Sequence, residues 1–103
     1  MRELIHRRAK GMCERCTMEG HEIHHRRPRG MGGSKDPLTN TAANGVLLCR
    51  SCHRWIELNR TAALEFGWLV RQGHDPREVA VNYRGSWARL SVNGVVSHDF
   101  TRS

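Results

Sequence analysis

A small α+β domain organised around a bound metal is the fold class that the sequence predicts, and three observations predict it. Four cysteines stand in two matched CxxC pairs, Cys13–Cys16 and Cys49–Cys52. A chain that folds back between the pairs brings four thiols to one tetrahedral zinc site. The 103 residues include 38% hydrophobic and 6% aromatic side chains, too few for a large core, which leaves zinc to supply much of the folding free energy. Between the cysteine pairs the order reads strand, loop, strand, helix. The chain is expected to form one domain, 1–103, with its zinc-bearing core over about 11–59 and a C-terminal helix and hairpin over about 60–100.

Each element follows from local pattern. Arg2 to Lys10 carries Leu4, Ile5 and Ala9 among charges and stops at Gly11, as a short helix with one apolar stripe does. It is expected to pack behind the zinc site. Met12 to Gly20 forms the first cysteine knuckle. Glu22 to Arg26 alternates around Ile23, a strand that sends His24 and His25 to opposite faces. Pro28, Gly30, Gly32, Gly33 and Pro37 then mark a loop, and Val46, Leu47 and Leu48 the returning strand. Arg50 to Asn59 reads as a helix burying Trp55 and Ile56 and carrying Cys52, His53 and Glu57. A second helix spans about Arg60 to Phe66, stopped by Gly67. Glu78 to Tyr83 and Ser86 to Val92 read as strands, and Asn93-Gly94 before Val95-Val96 as a type I′ hairpin turn.

Lys and Arg total 17 against 10 Asp and Glu, a net charge of +7, and the pI is near 10.3. That balance makes nucleic acid the default partner. Met1 to Lys10 has no signal-peptide apolar run, and no stretch approaches a membrane span. A cytoplasmic, reducing location with no membrane partner is therefore expected, in which paired cysteines act as metal ligands and not as disulfides.

At this point the residues resemble a known family. CERC, EIHHRRPRGMGG, NGVLLC and CRSCH stand in the order seen in the HNH endonucleases of the ββα-metal fold, in the subgroup with a four-cysteine zinc site. The resemblance implies that His24 is a ligand of a catalytic divalent ion, Mg2+, Mn2+ or another, and that His25 is the general base. It implies that Asn44 is the middle residue of the motif and that His53 is a second ligand of the same ion. Asn40 competes for the middle position, but Asn44 stands at the family's spacing before Cys49 and His53. Two departures are visible: the segment from Gly33 to Asn44 is longer than usual, and Gly45 replaces the leucine that commonly follows the asparagine. The size resembles that of stand-alone bacteriophage HNH proteins, which would make packaging or terminase proteins possible partners.

The chemistry is coherent without the family. Phosphodiester hydrolysis needs a base for the attacking water and positive charge at the phosphate, and a neutral His25 can take that proton. Two imidazole ligands leave positions open for substrate, as a catalytic site requires. Glu57, one turn after His53, is either a further ligand, a partner to the ligands, or an exposed helix glutamate. Arg26, Arg27, Arg29, Lys35, Arg50 and Arg54 cluster near the histidines and are expected to contact the DNA backbone. Two rivals remain. CRSCH fits a c-type haem attachment motif, which would leave Cys13 and Cys16 without a role. A non-catalytic zinc-ribbon module that binds nucleic acid would need the cysteines but not His24, His25, Asn44 and His53.

Overall fold

Two short strands, one polar and one apolar, make the central antiparallel hairpin. In the computed structural model, which describes residues 1–28 and 36–98, β1 (Glu22–His25) pairs with β2 (Gly45–Leu48), placing His25 opposite Gly45 and His24 opposite Val46. All four β2 residues are buried because a helix covers each face of the hairpin. On one face α1 (Arg2–Ala9) packs Ile5 and Ala9 against Ala42 and Leu47. On the other, α2 (Arg50–Leu58) packs Cys52 and Ile56 with Val46 and Leu48. Strand alternation then sends Glu22 and His24 to the α2 side and Ile23 and His25 to the α1 side.

The sequence places a helix behind the site, and the structure shows what fastens it there. Arg8 donates from Nε and Nη2 to both Glu14 carboxylate oxygens, at 2.7 and 2.8 Å, and from Nη1 and Nη2 to the carbonyls of Ala42 and Gly45, at 2.6 and 2.8 Å. Glu14 also accepts from the Leu47 amide at 2.9 Å. A buried ion pair with its remaining donors and acceptors satisfied can hold elements together without leaving a stranded charge. The glycine that departs from the family pattern also has its reason here. A Cβ on Gly45 would lie 2.6 Å from Ile5 Cδ1, so a side chain there would displace α1.

After α3 (Arg60–Glu65) the chain turns at Gly67, whose φ is +80° and whose added Cβ would meet the Ala80 carbonyl at 2.0 Å. Only glycine fits that crossing. β3 (Val81–Tyr83), β4 (Ser86–Leu90) and β5 (Val96–Ser97) then form an antiparallel sheet in the order β3-β4-β5. Val81, Tyr83, Ala88 and Leu90 close over the core that holds Ile56 and Trp68. Thus the α+β class and the covering C-terminal sheet hold. Among the described residues, no helix is long and apolar enough to cross a membrane.

Two sequence expectations about the tail are corrected. The strand expected from Glu78 begins at Val81, because the Val79 carbonyl accepts from Arg26 and the Glu78 amide turns back to Asp75. The two-residue turn with positive φ at both positions is Arg84-Gly85, at φ 50° and 84°, between the paired Tyr83 and Ser86. At Asn93-Gly94 only the glycine has positive φ, and the Ser91 hydroxyl accepts from the Asn93 and Val95 amides in a longer connection. Arginine tolerates the left-handed position because its Nη2 donates to the Ala9 and Met12 carbonyls at 2.9 and 3.2 Å.

Candidate active site and structural metal centre

The cysteine pairs converge. Cys13 and Cys16 lie on the knuckle that precedes β1, while Cys49 caps α2 and Cys52 occupies its first turn. Their four sulfur atoms lie within 4.8 Å of one another, with Cys16 Sγ and Cys49 Sγ at 3.6 Å. Zinc–sulfur bonds of about 2.3 Å in a tetrahedron require such spacings. The surroundings suit thiolates as well. The Cys16 amide points at Cys13 Sγ at 3.5 Å and the Cys52 amide at Cys49 Sγ at 3.4 Å, and Arg15 donates to Cys52 Sγ at 3.2 Å while lying 4.0 Å over the Trp55 ring. Burial raises the Cys13 thiol, but backbone hydrogen bonds from Cys49, Cys16 and Arg15 outweigh it and bring the thiol down to about 7. Burial pushes Cys52 up to about 12, and a bound dication overrides that by taking the thiolate directly. The donor set therefore fits structural zinc.

The histidines form a second cluster on the α2 side. The His24 and His53 rings meet edge to face, with centroids 5.0 Å apart. His24 Nε2 lies 2.9 Å from the Trp68 carbonyl, which can only accept, so Nε2 carries the proton and Nδ1 keeps its lone pair. His53 Nδ1 lies 2.8 Å from Glu22 Oε1, which leaves Nε2, itself 3.8 Å from Glu57 Oε1. Burial lowers His24 to about 4, against the Trp68 contact that raises it, so the ring is neutral and able to bind a cation at neutral pH. An open cavity of about 340 Å³ adjoins, lined by Glu22, Arg50, His53, Arg54 and Glu57. Two imidazoles with one free nitrogen each fit an accessible divalent ion, and Glu57 borders that position from an exposed helix face.

His25, at the end of β1, faces the other way, with Nε2 3.2 Å from Asn40 Oδ1. Asn44 is fully buried and spends its side chain on the backbone. Its Oδ1 accepts from the Arg27 amide at 2.7 Å, and Nδ2 donates to the carbonyls of Arg27 and Thr39 at 3.0 and 2.9 Å. It thereby fixes the chain directly after His25.

The basic cluster divides. Arg26 is 0% exposed and gives its donors to the carbonyls of Gly67, Ala43, Pro76 and Val79, at 2.8, 2.9, 3.0 and 2.7 Å. Burial, with the Arg8 charge adding, pulls it down to about 9, still above neutral pH, so it stays charged. Arg27 is also buried, bound to the His74 carbonyl at 2.7 Å and to Asp36 at 2.6 Å. Neither can reach DNA phosphates, which corrects the expectation for both: their guanidinium groups serve the interior. Arg50 and Arg54 are exposed beside the cavity. Arg29 and Lys35 lie outside the described residues.

Sequence reasoning missed Glu22, the Trp68 carbonyl and the Asn40 contact. Glu22 was findable, since it stands two residues before His24 on the same strand face. A carbonyl contributed from beyond α3 leaves no signal in sequence.

A hairpin and helix pinned by four cysteines, with His53 lining an open cavity and the buried His24 ring against it, make the ββα-metal arrangement. The family model for HNH endonuclease matches residues 13–56, from the first cysteine of the sulfur cluster into α2. No curated protein and no solved structure matches the chain.

Proposed function

We propose that the chain is a metal-dependent DNA endonuclease, with a divalent ion held by His24 and His53 and with His25 as general base. The observation that carries this reading is the meeting of two imidazoles, 5.0 Å between centroids, each with one nitrogen engaged by a protein acceptor and the other left to share a cation. Mg2+, Mn2+ or another divalent ion there would supply Lewis-acid charge to the scissile phosphate and the departing oxygen.

The chain's own groups account for the rest. His25 takes a proton from the attacking water as the new P–O bond forms. The bond to the 3′-oxygen breaks and that oxygen is protonated from solvent, which leaves 5′-phosphate and 3′-hydroxyl ends. Asn44 holds the backbone after His25 in place, and Arg50 and Arg54 offer positive charge to neighbouring phosphates. One site cuts one strand at a time. The compact size and metal chemistry suit a reducing cytoplasm, and a phage DNA-packaging setting is the context that the family resemblance favours.

The test is incubation of the zinc-loaded protein with supercoiled plasmid and Mg2+, Mn2+ or Ni2+. Nicking that depends on the added ion and falls at least about 100-fold in His25→Ala is expected. Undiminished cleavage by His25→Ala removes the base assignment. DNA binding without cleavage under any ion makes the chain a zinc-ribbon binding module instead.

A further inference from the structure

We propose that Asn40, and not the motif asparagine Asn44, is the positioning residue that orients the His25 imidazole for proton abstraction. The inference rests on the reading of His25 as the base.

The two asparagines have separable work. Every polar group of the Asn44 side chain is committed to the backbone of residues 27 and 39, so it can act on His25 only by shaping the chain. Asn40 instead touches the ring, its Oδ1 3.2 Å from His25 Nε2. Asn40 is exposed, so core packing does not force the contact. Its backbone is nevertheless held on both sides. Thr39, 2% exposed, offers its carbonyl to Asn44, and the Thr41 amide and hydroxyl both donate to the Leu38 carbonyl, at 3.3 and 2.8 Å. An amide oxygen can only accept, so the proton sits on Nε2 and the lone pair is presented from Nδ1. Holding a base in one tautomer and one orientation is what a triad's third member does, here without adding a negative charge beside the phosphate. Residues 36–44 thus gain a purpose: they carry an acceptor to the base.

Two readouts test this, on zinc-loaded protein with histidine ring nitrogens labelled with 15N. In the absence of divalent ion, NMR of the wild type should show His25 as the Nε2–H tautomer, and Asn40→Ala should shift it toward a mixture while the Thr39 and Asn44 amide signals stay in place. With ion and plasmid, Asn40→Ala should lower kcat about 10- to 100-fold with KM changed less than about 2-fold, and Asn40→Asp, which keeps an acceptor, should recover most of the loss. An unchanged His25 tautomer in Asn40→Ala overturns the proposal, as does a shifted tautomer with unchanged kcat. Absence of cleavage by the wild type itself is a different failure, that of the nuclease reading, and the tautomer measurement separates the two.

Discussion

In the proposed site, one nitrogen of each of His24 and His53 is engaged by a neighbouring acceptor, and each acceptor can be tested alone. Glu22 sits 2.8 Å from His53 Nδ1. Removing a carboxylate of this kind commonly weakens metal binding about 10- to 100-fold. Glu22→Ala is therefore expected to weaken Mn2+ binding by that factor, read by calorimetry on zinc-loaded protein without DNA, with Glu22→Gln intermediate; unchanged affinity would remove Glu22 from the site. His24 makes a pH prediction. Its folded value of about 4 lies below the ordinary 6.5, so between those limits the unfolded chain binds the extra proton and stability rises with pH. The difference corresponds to about 3 kcal/mol, present above pH 6.5 and lost as pH falls to 4. Denaturant unfolding across that window should show the slope in wild type and lose it in His24→Gln, the difference between the two cancelling any effect of the thiolates.

The elements show why some of this was legible in sequence and some was not. Cysteine spacing, the His24-His25 pair on a short strand and the apolar side of α2 each state their role within a few residues, so the hairpin, helix and zinc centre could be read directly. Arg26 could not be. A charge in a basic run is ordinarily solvated, and its burial becomes understandable only once four carbonyls from distant stretches surround it. The turn at Arg84 escaped for the same reason, since the Ala9 and Met12 carbonyls that hold it lie on another element. Arg26 also joins the segment after α3 to the histidine pair: it grips Gly67, and the next residue's carbonyl contacts His24. Replacing it strands several buried carbonyls, for which a cost of about 3–5 kcal/mol is expected. Arg26→Met should show that loss in chemical denaturation, with hydrogen exchange rising first over residues 67–79. A loss below about 1 kcal/mol would mean the latch is dispensable.

Across the whole molecule, the cysteine cluster and the proposed imidazole site differ in exposure. The sulfur site joins the knuckle to the start of α2 and closes the fold, while the imidazole site opens on a cavity flanked by arginines. Formal charge overstates what DNA can meet, because Arg8, Arg26 and Arg27 are turned inward. Each lysine or arginine that neutralises a phosphate contributes about −0.9 to the slope of log affinity against log salt on duplex DNA. Arg50→Gln and Arg54→Gln should therefore each flatten that slope by about 1 and weaken binding to unrelated duplexes alike, measured by fluorescence anisotropy on zinc-loaded protein without divalent ion. Arg27→Gln, which breaks the pairing with Asp36, should lower the unfolding midpoint and leave the slope unchanged. If Arg27→Gln flattens the slope as much as Arg54→Gln does, the inward assignment of that arginine fails, and the phosphate track runs along the loop after β1 instead of along α2.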